Sequence, residues 1–257
     1  MNKVIIKNRK NQSIAVVVNE TIDSKGLAFI MHGLGGFKEQ PHIRAMAEVF
    51  EKTNYTTVLF DATNSIGESD GRYEDATMEN YYEDFEDVIN WSKSQPWYKE
   101  PFCIAGHSLG GYSVLRFAEE NPELVKGVFS WAPVISGKLS YEATERIGEI
   151  ENWKKTGWKV RISNSKPGLE LRLPWPHMLE RQNHDLFPNV EKLTMPTAII
   201  VGDEDTSCPL DQQEKFFPLI PGNKKELYVI KGAPHTFREE SHLNQLQERL
   251  AQWLTNL

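Results

Sequence analysis

The sequence predicts an α/β domain: a mostly parallel central sheet with helices on both faces and a small inserted cap. Three observations carry this. Short apolar β-rich runs alternate with longer amphipathic runs along most of the chain. From Leu27 onward the β-rich runs are mostly unbroken rather than alternating, as strands covered on both faces require. Intervening segments carry apolar residues at helical spacing, which is the rhythm of strand–helix units.

Taken in order, the strand candidates are Ile14–Val18, Leu27–Met31, Thr57–Phe60, Phe102–Ala105, Gly127–Trp131, Thr197–Val201 and Leu227–Ile230. Between them, His42–Lys52 places Ile43, Met46, Ala47 and Phe50 on one helical face, and Tyr81–Ser92 does the same with Phe85, Val88 and Ile89. Leu109–Glu119 ends before Asn121-Pro122, a natural stop, and Leu243–Leu257 closes the chain with Leu246, Leu250 and Leu254 in register. The rhythm breaks between Val134 and Pro196. Ser136–Arg181 holds nine Lys/Arg against six Glu, so it is +3 while the rest of the chain is −10. This stretch is read as an insertion, helical over Tyr141–Lys155 and irregular through Asn164–Pro176. The expected division is therefore a core of residues 1–134 and 192–257 and a cap of residues 135–191.

Composition narrows the function classes. The chain has 257 residues, 39% hydrophobic and 25% charged, with a net charge of −7. That supports a full core and excludes intrinsic disorder. An acidic chain without a long basic run argues against nucleic-acid binding. Two cysteines, Cys103 and Cys208, cannot form a four-Cys zinc site or a multi-bridge framework. No 18-residue apolar stretch or signal-peptide core is visible, so no membrane partner is expected and a cytoplasmic location is the default. No cofactor or metal is expected. A homodimer is compatible with the chain but not indicated by it.

One motif carries chemistry. Gly106-His107-Ser108-Leu109-Gly110 directly follows the apolar run Phe102–Ala105 and opens a helix-compatible stretch. Glycines permit a sharp strand-to-helix turn that projects the Ser108 hydroxyl, and the following helix N-terminus points its free N–H groups at a developing oxyanion. Met31-His32-Gly33-Leu34-Gly35-Gly36 follows another strand and offers backbone N–H groups for a second donor. It lacks the G-x-G-x-x-G pattern and a Walker lysine, which disfavours a nucleotide loop. A serine nucleophile needs a base and the base an orienting acid. Of seven histidines, His235 lies in Gly232-Ala233-Pro234-His235 just past the last strand, where α/β folds place their sites. His42, His177, His184 and His242 read as surface or capped residues. The acid is expected in Gly202-Asp203-Glu204-Asp205, after the preceding strand, where three carboxylates are available. The chain order Ser, acid, His is that of α/β-hydrolases.

With these motifs in place, the chain resembles the α/β-hydrolase superfamily of serine hydrolases from about Leu27 to the C-terminus. Gly67-Glu68-Ser69-Asp70-Gly71 after Phe60-Asp61 also resembles a family loop, although Thr63-Asn64-Ser65-Ile66 departs from its usual Gly-His pairing. The resemblance implies Ser108 as nucleophile, His235 as base, and Asp205, the last residue of the G-x-x-D pattern, as the acid rather than Asp203. It implies the backbone N–H groups of Leu34 and Leu109 as the oxyanion hole. Within the superfamily the chain is most similar to bacterial carboxylesterases of the cinnamoyl/feruloyl type, which carry a small insert at this position. The expected activity is hydrolysis of a small-molecule ester by a Ser-His-Asp triad through an acyl-enzyme. The same triad acting on a peptide, thioester or C–C bond, and a non-catalytic binding protein on the same fold, are the alternatives. Trp131, Trp153, Trp158 and Trp175 are candidates for a substrate pocket, with plain core packing the commoner fate of tryptophan.

Overall fold

A computed structural model describes residues 2–257. The chain begins with β1 (Asn2–Lys7) and β2 (Ser13–Asn19), an antiparallel hairpin. There follow β3 (Gly26–Met31), α1 (Pro41–Lys52), β4 (Tyr55–Phe60), α2 (Met78–Ser92), β5 (Phe102–His107), α3 (Leu109–Glu120) and β6 (Val125–Trp131). The segment after β6 carries α4 (Gly137–Arg146), α5 (Ile150–Thr156), β7 (Trp158–Ile162), β8 (Glu170–Pro174) and α6 (Trp175–Arg181). The chain then returns through β9 (Thr197–Gly202), α7 (Leu210–Phe216), β10 (Lys225–Ile230) and α8 (Glu240–Thr255).

Eight strands form one sheet in the order β1-β2-β4-β3-β5-β6-β9-β10. The six from β4 to β10 are parallel, and only the β2–β4 and β1–β2 pairings are antiparallel. Every residue of β3, β4, β5 and β9 is buried, which is the two-sided cover that their unbroken apolar runs require. The strand order reverses between β3 and β5. Crossovers leaving in opposite directions with the same hand put their helices on opposite faces. Accordingly α1 packs with α8, and α2 packs with α3. Under α2 and α3 lies an aromatic pile, in which Phe29 meets Phe102 edge-on at 5.0 Å and Phe85 meets Phe117 at 5.5 Å. Thr77 caps α2 by accepting the Asn80 N–H at 3.0 Å.

The structure departs from the sequence reading in three places. β1 was not anticipated; it is an edge strand, mostly exposed, held by pairing rather than by burial. The irregular stretch Asn164–Pro176 instead contains β8, which pairs antiparallel with β7. In β8, Leu171 and Leu173 are buried while Glu170 and Arg172 face solvent, a two-residue alternation too short to stand out. Third, His42, His177 and His242 are buried rather than surface residues. Burial lowers the His42 pKa to about 3 and that of His177 to about 4, so both are neutral core aromatics. Cys103 and Cys208 are both buried and free. No helix among the described residues is long and apolar enough to cross a membrane.

One buried group works against the fold. Glu119 on α3 is buried, and its Oε1 has no hydrogen-bond partner among the described residues. Burial, with Glu120 and Glu191 adding repulsion, pushes its pKa up to about 9. A carboxyl whose pKa is raised on folding binds a proton that the unfolded chain releases. Its contribution is complete below the unfolded value and is lost as pH rises towards 9. Glu119→Gln is therefore expected to leave the melting temperature unchanged near pH 4 and to raise it by a few degrees at pH 8, on the scale of about 2–4 °C per kcal/mol. Equal melting temperatures of the two proteins at pH 8 would refute this.

Candidate active site

The carboxyl ends of β3, β5, β9 and β10 open onto one edge of the sheet, at and beside the point where strand order reverses. That is where α/β sheets bind ligands. Ser108 stands between β5 and α3 with φ 57° and ψ −114°. These are the angles of the first central residue in a type II′ turn, where glycine is the usual occupant. Its N–H donates to Trp131 O at 2.9 Å, and its carbonyl accepts from Tyr112 N at 3.0 Å and Val134 N at 3.2 Å. Helix α3 approaches β3 so closely that a Cβ on Gly110 would lie 2.5 Å from His32 O. The turn is thus held on every side, and Ser108 Oγ is carried to the sheet edge.

His235 follows β10 and makes two contacts. Its Nε2 is 2.9 Å from Ser108 Oγ, and its Nδ1 is 2.7 Å from Asp205 Oδ2. Asp205 is buried and also accepts the N–H groups of Ser207 and Cys208, both at 2.8 Å to Oδ1. Burial alone would raise its pKa. The His235 side chain and the two amides outweigh burial, so the net shift is downward and Asp205 remains a carboxylate at neutral pH. Asp203 faces elsewhere and accepts the Gly232 N–H at 2.6 Å.

His107 supports this arrangement. Its Nε2 donates to His235 O at 3.0 Å, and its ring packs against Trp131 at 4.4 Å and His42 at 4.8 Å. Burial holds its pKa well below the ordinary histidine value, so it is a neutral prop. Only its contact with a residue 128 positions away reveals this, and no local pattern encodes it. Trp131 is fully buried against His107 and Phe237, in the core. Trp153 lines a second cavity of about 110 Å³ with its Nε1 donating to Leu173 O, and Trp158 lines the outer groove beside it. None of the four tryptophans lines the cavity at Ser108.

The turn Gly33–Gly36 closes with Gly36 N donating to Gly33 O at 2.9 Å, and Gly35 takes φ +67° at its third position. Neither Leu34 N–H nor Leu109 N–H meets an acceptor among the described residues. An ion cluster around the buried Lys38–Asp61 pair anchors this turn. Lys38 Nζ lies 2.7 Å from Asp61, 2.6 Å from Glu68 and 2.9 Å from Glu39, while Asp61 also accepts the N–H groups of Lys38 and Glu68. His32 adds a second tie. Ala62 N–H donates to its Nε2 at 3.0 Å, which places the ring hydrogen on Nδ1, 2.8 Å from Gly33 O. Together these fix the Gly33–Leu34 backbone against Ser108.

A cavity of about 160 Å³ opens over Ser108. Its walls come from the glycine turn, His235 and Ser207, and from Arg161, Ser163, Asn164, Ser165, Leu171 and Arg181 of the segment between β6 and β9. A Cβ on Gly33 would stand 2.9 Å from Ser108 Cβ and 3.1 Å from His107 O. Gly33→Ala must therefore push the turn away from Ser108. The expected outcome is a fall of about 10² in the rate at which a fluorophosphonate labels Ser108, with the circular dichroism spectrum unchanged. An unaltered labelling rate would show that the turn contributes nothing to the site.

The molecule is similar to known hydrolases. By structure it matches the Est1E protein of Butyrivibrio proteoclasticus bound to ferulic acid, with a TM-score of 0.81 at 22% identity, covering 98% of each chain. It matches mouse alpha/beta hydrolase domain-containing protein 10 with a TM-score of 0.78 at 17% identity, over 100% of this chain and 99% of the other. By sequence it is 24% identical over 204 residues to the thermostable monoacylglycerol lipase of Bacillus sp. (strain H-257), covering 78% of this chain and 80% of the lipase. The sequence pattern of the prolyl oligopeptidase family (Peptidase_S9) matches residues 41–257. The chain therefore has the α/β-hydrolase fold and belongs to the prolyl oligopeptidase family.

Proposed function

We propose that the protein is a serine hydrolase of carboxylic esters, with Ser108 as nucleophile, His235 as general base and Asp205 as the orienting acid. The observation that carries this is the placement of His235 between Ser108 Oγ at 2.9 Å and Asp205 Oδ2 at 2.7 Å. His235 takes the Ser108 proton as Oγ bonds to the ester carbonyl carbon. Asp205, already ionised, fixes the ring hydrogen on Nδ1 and supports the imidazolium that forms. The N–H groups of Leu34 and Leu109 receive the tetrahedral oxygen. When the carbonyl re-forms, the C–O bond to the alcohol breaks and His235 returns its proton to the leaving oxygen. Water, activated by the same imidazole, then releases the acid and restores Ser108.

The segment of residues 135–191 acts in this reading as a cap. It supplies six of the residues that line the cavity over Ser108, so it defines the space in which the acyl or alcohol group lies. The Est1E structure carries ferulic acid, a carboxylic acid, as ligand, and the lipase is named for monoacylglycerol, an ester. Those two relatives favour an oxygen ester. The palmitoyl-protein thioesterase ABHD10 of mouse, 23% identical over 203 residues (79% of this chain and 66% of the relative), makes the thioester the second reading.

Two measurements test the assignment. Ser108→Ala is expected to lower kcat for nitrophenyl esters by about 10⁴ or more with the fold intact. Turnover above background in that variant would refute the nucleophile. Asp205→Asn is expected to cost about 10⁴, because it reverses the tautomer that His235 needs, whereas Asp203→Asn keeps an oxygen that can accept the Gly232 N–H and costs under about tenfold. The opposite ranking would move the acid to Asp203. A parallel series of thioesters and peptides decides the bond type by kcat/KM.

A further inference from the structure

The cavity over Ser108 is lined by three arginines, Arg161, Arg181 and Arg238, and by no aspartate or glutamate. That is unusual in this chain, which carries 36 acidic residues against 29 basic ones. The other arginines are satisfied. Arg9, Arg44, Arg72, Arg116, Arg146 and Arg172 each meet a carboxylate within 4.0 Å. Arg249 has no carboxylate but lies over the Tyr228 ring at 5.1 Å. Among the described residues, the arginines with neither kind of partner are the three at the cavity.

Arg181 is the most constrained of them. Its Nε is buried and has no hydrogen-bond acceptor among the described residues. Glu180 beside it is engaged elsewhere, accepting Met78 N–H and Glu79 N–H at 3.1 Å and meeting His184 Nε2 at 2.6 Å. Burial lowers the Arg181 pKa and Arg161 adds repulsion, which is the condition that an incoming anion relieves. Arg161 reaches in from β7. Its Nη2 is 3.4 Å from Leu34 O and stands against Gly35. Arg238 is at the exposed rim, followed by Glu239 and Glu240, so the argument rests on the other two.

Both arginines also line the second cavity, with Trp153, Leu173 and Met178. They therefore sit where the polar chamber at Ser108 meets a second chamber of mixed lining, in which Thr144 and Lys159 stand beside the apolar side chains. Gly33 touches Ser108 and Gly35 touches Arg161, and these glycines are two residues apart. The Arg161 guanidinium is thus on the order of 10 Å from Ser108. We propose that the substrate is an ester carrying a carboxylate several bonds from its scissile carbonyl, held by the guanidinium groups of Arg161 and Arg181 while the carbonyl lies at Ser108. Guanidinium forks match carboxylates in a bidentate geometry, and a desolvated pair is worth far more than the same contacts in water.

This inference rests on the ester-hydrolase reading, and the test separates the two. Nitrophenyl hemiadipate and hemisuberate are compared with their methyl-capped twins, alongside a second pair carrying the carboxylate in the alcohol. The expected result is a kcat/KM ratio of about ten- to a hundredfold in favour of the charged member of one pair. Arg161→Met and Arg181→Met each bring that ratio towards one, and Arg181→Lys, which keeps the charge and protects against misfolding, retains part of it. Wild-type protein that hydrolyses both twins equally overturns the anion site and leaves the esterase standing. Variants that slow both twins in proportion make the arginines structural and also overturn it. Absence of turnover for every ester, with no fluorophosphonate adduct on Ser108, overturns the underlying reading instead.

Discussion

A non-glycine residue at φ 57° and ψ −114° does not rest there unaided, and Ser108 holds that conformation because the sheet leaves it no other. Such strain costs of order 1–3 kcal/mol. It is offset by the rigidity around it. β5 is central in the sheet and buried on both faces, the Ser108 N–H is spent on Trp131, and its carbonyl serves both α3 and Val134. The direction of α3 follows from the same turn. Relaxing Ser108 to ordinary backbone angles would turn its hydroxyl away from His235 and disturb the contact of α3 with the end of β3.

The polar groups around this turn divide by charge. At Lys38, a buried cation meets the buried Asp61 and the half-exposed Glu68 and Glu39, and the hydrogen bonds to these three outweigh the cost of burying Lys38. Such a cluster is poor evidence of stability, since breaking it costs more than its presence contributes. Its value lies in position, because it ties the glycine turn after β3 to the loop after β4. Closer to Ser108 the solution is different. His32, His42 and His107 are all held neutral by burial. In the proposed reaction a positive charge on His235 would therefore form beside neutral rings and opposite an ionised Asp205, rather than among competing cations.

Much of this was legible in the sequence, for identifiable reasons. The strands with unbroken apolar runs are those buried on both faces, so composition and burial coincide at β3, β4, β5 and β9. Ser108 sits in a five-residue pattern whose turn demands glycine nearby, which makes it visible locally. Asp205 and His235 were legible only through their place after strands, and the choice of Asp205 over Asp203 needed a family pattern. Their difference in the fold is plain, since one meets His235 and the other Gly232. What stayed hidden depended on long-range contact. β7 is half exposed along its length and carries no alternation to read. The buried histidines are invisible because neutrality is conferred by packing, not by neighbours in sequence. Arg161 and Arg181 lie in an insertion whose excess positive charge was visible, yet its focus was not.

That focus changes the meaning of the charge asymmetry. A +3 segment on a −10 body suggests a diffuse field when read as composition. Folded, four of its nine basic side chains are neutralised locally: Arg146 by Asp211, Lys154 by Glu151, Lys159 by Glu149 and Arg172 by Glu170. The unneutralised remainder includes Arg161 and Arg181, beside the N-terminal end of α3 and the free amides of the glycine turn. Helix ends, exposed N–H groups and guanidinium groups then act with one sign on one small volume, in a cavity with no acidic wall. Asp205 lies behind His235, and its oxygens are engaged there and with two backbone amides. The chamber is thus electropositive by the removal of local compensation rather than by an abundance of basic residues.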